Sequence, residues 1–160
     1  MRGNTIRILQ TNESHSTLNL TIPGKVLTVQ NCSQRKWLIL GLHDGVHIYN
    51  SENLSFIGKI ERRDFYNFLI DSNGEHMFYR FSDSVSKIRI DDRSVLWTVK
   101  EAVECFTICK SKNELFIAID SQIVVLDMNN GSVKRKIPFL KKVLKCLYIT
   151  YDEVNERIYL

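Results

Sequence analysis

The feature that most constrains this chain is a short apolar, β-type run that recurs about every 40 residues. Trp37-Leu38-Ile39-Leu40, Met77-Phe78-Tyr79-Arg80-Phe81, Leu115-Phe116-Ile117-Ala118-Ile119 and Ile158-Tyr159-Leu160 begin at positions 37, 77, 115 and 158, hence 40, 38 and 43 residues apart. Self-similarity at such a period marks a repeat architecture. Each run is rich in β-branched and aromatic residues and too short for a helix.

The segments around these runs repeat as well. The first three runs lead into polar turns, His43-Asp44-Gly45, Ser82-Asp83-Ser84 and Ile119-Asp120-Ser121. Asp-Gly is a strong hairpin signal, because a type I′ turn needs positive φ at both central residues. Further runs follow: Val46 to Asn50, Lys87 to Asp91 and Ile123 to Asp127. After a second polar turn comes a less apolar run, Leu54 to Ile60, Val95 to Val99 and Val133 to Ile137. Each unit is preceded by one more apolar run: Val26 to Val29, Phe68 to Ile70 and Cys105 to Ile108. A unit therefore holds four strands, a to d. The expected units are 25–63, 64–102 and 103–142 within one domain, 1–160. Residues 1–24 form a partial unit of strands c (Ile6 to Gln10) and d (Leu18 to Ile22). Residues 143–160 form a partial unit of strands a (Leu147 to Ile149) and b (Ile158 to Leu160).

This unit resembles a β-propeller blade of the WD40-like or quinoprotein-like group, most clearly over Ile123-Val124-Val125-Leu126-Asp127-Met128-Asn129-Asn130-Gly131-Ser132-Val133. No Gly-His pair opens a unit, and Tyr49-Asn50, Ile90-Asp91 and Leu126-Asp127 stand where Trp-Asp would close strand c. The expected fold is all-β, with tandem four-stranded antiparallel blades forming a propeller or part of one; a β-trefoil is the alternative. A lone blade leaves its faces bare, whereas stacked neighbours bury them. The terminal half-units could complete a fourth blade and close a ring. Two copies could instead share a larger ring, as a homodimer, or the chain could belong to a longer one.

The length, 160 residues, suits a domain with a sizeable core, and 44% hydrophobic with 25% charged residues is ordinary for a globular chain. The N-terminal stretch lacks the apolar segment of a secretory signal, and no apolar run approaches the ~20 residues of a membrane span. Cys32, Cys105, Cys109 and Cys146 form no CxxC pair. They are expected as reduced thiols in an intracellular, cytoplasmic protein. Cys105 and Cys109 share one face of a strand and are read as small buried hydrophobes.

His15, His43, His47 and His76 have no metal-ligand spacing. His43 and His47 flank the first b–c turn. Asp44, Asp83 and Asp120 recur at equivalent turns, where they could bind a cation or a basic peptide but more simply bond local backbone N–H groups. No GxSxG, P-loop or GxGxxG occurs, and no cofactor or metal is expected.

The chain carries a net charge of +4, and its one concentrated electrostatic feature is Lys134-Arg135-Lys136-Ile137-Pro138-Phe139-Leu140-Lys141-Lys142-Val143-Leu144-Lys145. Six bases and no acid cover strand d of the third unit and the link beyond it. Arg62-Arg63 occupies the equivalent link two units earlier. It lacks the phenylalanine and glycine that frame the Arg-Arg motif of phosphoinositide-binding propellers. Trp37 and Trp97 are read as core residues of strands b and d, and of the two Trp97 is the better candidate for exposure, since strand d is the outer edge of a blade. These residues, Lys134, Arg135, Lys136, Lys141, Lys142, Lys145, Arg62, Arg63 and Trp97, are the candidate contact sites. The leading expectation is a non-enzymatic protein-interaction scaffold with an acidic protein partner. The alternative is a basic-rim propeller that binds nucleic acid or anionic lipid. A quinoprotein-like or hydrolytic enzyme ranks last.

Overall fold

The computed structural model describes residues 4–9, 17–61, 67–81, 83–120, 122–139 and 148–160. They form β1 (Asn4–Leu9), β2 (Thr17–Ile22), β3 (Val26–Cys32), β4 (Trp37–Leu42), β5 (Gly45–Asn50), β6 (Phe56–Glu61), β7 (Asn67–Ile70) and β8 (His76–Arg80). Then come β9 (Val85–Arg89), β10 (Val95–Val99), β11 (Cys105–Cys109), β12 (Glu114–Ile119), β13 (Gln122–Asp127), β14 (Val133–Pro138), β15 (Thr150–Asp152) and β16 (Arg157–Tyr159). Three four-stranded antiparallel sheets, β3–β6, β7–β10 and β11–β14, are joined in simple up-and-down order. Two hairpins, β1–β2 and β15–β16, stand as separate two-stranded sheets. Separate sheets of this kind, with no closed barrel, are propeller blades rather than a trefoil.

The chain divides into two compact units, residues 1–68 and 69–160, with the boundary inside β7. In the first, Leu20 and Ile22 of β2 pack with Leu38, Leu40 and Leu42 of β4 and Tyr49 of β5. In the second, the β7–β10 sheet meets the β11–β14 sheet through Phe78, Val85, Phe106, Leu115, Ile117 and Leu126. The opposite face of β11–β14 uses Cys105, Cys109, Phe116, Ala118, Ile123 and Val125 to cover Ile149, with Tyr151 and Ile158 at the margin. Each such side chain contributes about 1.5–3 kcal/mol on burial. Because both faces of this sheet are covered, every residue of β12 is buried, and the run has no polar alternation to show.

The repeat extends to irregularities. Each outer strand carries a bulge at the same place. Ile57 lies between the pairs Tyr49–Phe56 and Ile48–Gly58. Leu96 lies between Ile88–Val95 and Lys87–Trp97, and Lys134 between Leu126–Val133 and Val125–Arg135. A bulge bends the strand and increases its twist, which suits a blade edge. The turns between the first two strands of each unit contain a left-handed residue, Lys36, Gly74, Asn113 and, in the last hairpin, Glu156. The turns before the outer strands do the same at Leu54, Arg93 and Gly131.

The structure moves one expected register. Asn50 and Asp127 donate their amides to Ser55 and Ser132, and the residue that does this in the second sheet is Arg89, bonding Ser94. The strand is Val85–Arg89, two residues earlier than Lys87 to Asp91. The turns are alike, for Asn53, Asp92 and Asn130 each accept the amide of the serine two residues on. The difference is at the strand end, where Asn50 and Asp127 also accept amides with their own side chains and Arg89, a donor only, cannot. The strand-a expectation at Leu147 to Ile149 also moves, to Thr150–Asp152; Leu147 lies outside the described residues.

Candidate functional site

β14 is an edge strand, hydrogen-bonded on one side to β13. All its residues except Ile137 are exposed. The bulge at Lys134 lets Lys134 and Arg135 reach the same acid, Glu114 at the start of β12. Arg135 forks onto that carboxylate through Nη1 at 2.6 Å and Nη2 at 2.8 Å. Lys134 Nζ lies 3.3 Å from Oε1 of the same group and 3.9 Å from Asp127. The hydrogen bonds from Arg135, opposed by burial and aided by Lys134, hold the Glu114 carboxyl below the usual range. Two of the candidate cations are thus matched within the sheet. Lys136 is exposed and forms no ion pair among the described residues. Arg62, Arg63, Lys141, Lys142 and Lys145 lie outside the described residues.

Trp97 is partly buried, as is Trp37. Its ring lies 5.9 Å from Phe78, and its indole N–H donates to the Met128 carbonyl at 3.1 Å. Gly131 completes the fit. Its φ is +73°, and a Cβ there would come within 2.9 Å of the indole. A second donor reaches the same carbonyl, Lys87 Nζ at 3.0 Å. Lys87 is only 7% exposed, and it lies over the Phe78 ring at 5.5 Å. Burial lowers its pKa, with the charges of Asp71 and Asp127 working against the shift.

Beside Lys87 is a cleft of ≈ 210 Å³, formed by the turns that follow β7, β11 and β13. Its walls include Asn73, Asn113, Asn129, Lys110 and the pair Asp71–His76. Asp71 is saturated. One oxygen accepts the amides of Glu75 and His76, and the other accepts His76 Nδ1 at 2.7 Å.

The remaining candidates resolve locally. His47 is buried and bonded to Asp44 at 3.2 Å, while His43 is exposed. Asp44 also meets Lys59 at 2.8 Å, and that bond is the main reason its carboxyl sits low, against burial and with help from His47. Asp83 accepts the Ser84 hydroxyl, and Asp120 sits in a left-handed turn. Cys32, Cys105 and Cys109 are buried and form no disulfide among the described residues. His15 and Cys146 lie outside the described residues. No group of three or more His, Cys, Asp or Glu side chains among the described residues could hold a metal, and no helix there is long and apolar enough to cross a membrane.

The fold defines the class first: antiparallel blades of the β-propeller kind. Among solved structures, the chain is similar to Hsv2 of Kluyveromyces lactis, with a TM-score of 0.58 and 14% identity over 71% of this chain and 37% of that one. It is similar to Hsv2 of K. marxianus at a TM-score of 0.59 and 15% identity, over 72% of this chain and 40% of that one. Hsv2 is a yeast WD40 β-propeller protein. The chain spans less than half the length of either neighbour. No family model and no curated protein matches the sequence.

Sequence reasoning missed Glu114, Lys87 and the Met128 carbonyl. Glu114 adjoins the apolar run Leu115 to Ile119, and an acid at that place invites a search for its cation. Lys87 and Arg89 alternate with Ile88 and Ile90, a pattern that gives no sign of a buried cation. Lys87 is instead buried, because a neighbouring sheet covers its face.

Proposed function

We propose that this chain is a non-enzymatic protein-interaction module whose docking strand is β14. The observation that supports this most is a strand edge with no partner among the described residues, lined by exposed cations of which Lys136 forms no ion pair there. An extended acidic segment of a protein partner can add to such an edge. Main-chain hydrogen bonds would supply affinity and the cations would select for Glu or Asp. The same cations on a bulged edge discourage pairing between copies, so an acidic segment is favoured over a second β14.

The experiment is a titration of the chain with a peptide of alternating valine and glutamate at several salt concentrations. Lys136→Glu, alone and with Lys141→Glu and Lys142→Glu, should weaken binding stepwise, by roughly tenfold for the triple variant. Unchanged affinity removes the basic edge from the proposal. Stronger, steeply salt-dependent binding to a DNA oligonucleotide or to anionic vesicles would favour the nucleic-acid or lipid reading instead.

A further inference from the structure

Strands β5, β9 and β13 place structurally equivalent residues opposite a fully buried partner on the neighbouring strand: Ile48 opposite Ile39, Lys87 opposite Phe78, and Val125 opposite Phe116. Two of the three are aliphatic, as a covered sheet face requires. The third is an ammonium, buried at 7% exposure. A packing role alone would be met by a leucine, and burying a charge without a close counter-charge is costly.

The geometry around Lys87 gives that charge a use. Its Nζ carries three N–H donors, and the structure assigns one of them, to the Met128 carbonyl. No carboxylate lies within ion-pair distance of it among the described residues. Two acids line the cleft, Asp71 and the exposed Glu75, and both oxygens of Asp71 are engaged by His76 and the turn amides. The same cleft offers a second ammonium, Lys110, and the side-chain amides of Asn73, Asn113 and Asn129. At ≈ 210 Å³ the cleft holds several waters at about 30 Å³ each, or one oxyanion with part of its hydration shell.

We propose that this cleft, formed by the turns after β7, β11 and β13, binds a single oxyanion group, phosphate or carboxylate. Lys87 would be its buried anchor, and Lys110 with the three asparagines its outer donors. A charge-assisted bond to an anion completes the coordination of an ammonium that the fold otherwise leaves with spare donors. The site is distinct from the β14 edge and does not depend on the docking proposal.

The test uses the whole chain and two probes, inorganic phosphate and acetate, read by amide chemical-shift titration and by the shift in thermal midpoint. Phosphate or acetate should move the amides of Asn73, Asn113 and Asn129 and raise the midpoint, as any ligand selective for the folded state does. Lys87→Leu restores the aliphatic residue of the sister strands and leaves Trp97 to satisfy the Met128 carbonyl, so it should fold. It should bind the probes at least ~10-fold more weakly. Lys110→Ala should weaken binding less, and Lys136→Ala not at all. A response to acetate alone assigns the cleft to carboxylates and so to acidic side chains; a response to phosphate alone assigns it to phosphate. Equal binding by wild type and Lys87→Leu, or shifts confined to β14, would overturn the site, as would no response to either probe at millimolar concentration.

Discussion

The second and third sheets place the same three strands around one position and fill it in opposite ways. In the β7–β10 sheet the inner member of the cross-strand pair is the cation and the outer one the aromatic, Lys87 opposite Trp97. In the β11–β14 sheet the inner member is aliphatic and the outer one the cation, Val125 opposite Arg135. Both cations lie over a phenylalanine, Lys87 over Phe78 of the adjacent strand at 5.5 Å and Arg135 over Phe116 two strands away at 5.8 Å. The difference is in what receives the charge. Arg135 stands at the surface and forks onto a carboxylate. Lys87 is buried and meets a carbonyl. A repeat fold thus fixes where side chains meet, while the polar partner decides whether a cation there serves the sheet or remains available to a ligand.

The largest effect should come from imposing the second sheet's solution on the third. Val125 is fully buried, and Val125→Lys would place an ammonium there with no prepared acceptor, costing roughly 3–5 kcal/mol in urea unfolding. A loss under about 1 kcal/mol would mean that the position tolerates charge in either sheet, and the contrast would fail.

Next is the outer cation. Arg135→Met strands Glu114, which is 4% exposed, and should cost about 2–4 kcal/mol at pH 7, with Lys134 limiting the damage. The pH dependence follows from the depressed carboxyl of Glu114. Its stabilising share is present above the unfolded pKa and lost as pH falls through the lower, folded value. The gap between wild type and variant should therefore narrow on acidification. A gap constant from pH 7 to pH 3 would show that Arg135 acts by packing alone.

The shared carbonyl gives a sharper test at smaller cost. Trp97→Phe removes one donor to Met128 and should cost about 1 kcal/mol, because Lys87 still reaches it. Combined with Lys87→Leu it orphans the carbonyl. The double variant should then lose about 1 kcal/mol more than the two single changes together. Additivity would mean that the two donors do not share an acceptor.

The last contrast, and at Arg93 the smallest effect, concerns the turns before the outer strands, where Leu54, Arg93 and Gly131 share a left-handed backbone. Gly131→Ala should destabilise by more than 1 kcal/mol, since strain and the indole both oppose the Cβ. Arg93→Gly should change stability by less than about 1 kcal/mol, because relief of strain offsets the freer unfolded chain.

These turns also show how far the sequence could be read. The all-β class and the four-stranded antiparallel unit were legible because every unit must present alternating or continuous β-type runs to its neighbours. The turns were harder. Lys36, Leu54, Arg93 and Glu156 adopt positive φ without a glycine or asparagine to announce it, so tertiary pairing rather than residue preference sets those bends. The register slip at β9 came from Asp91 and Asp92, which imitate the strand-ending acid of the other units. For the site, the basic run was visible by composition, but its neutralisation by Glu114 was not, because that contact joins strands β12 and β14 through a bulge. Lys87 was hidden by its own alternation with isoleucines.

The docking of an extended acidic segment on β14 is tested most directly by amide hydrogen exchange on the whole chain, with and without the valine–glutamate peptide. Strand addition predicts new protection concentrated in residues 133–138, with the amides of β12, already buried between two sheets, unchanged. Protection spread over the turns instead, or none at saturating peptide, would contradict a docking strand at this edge.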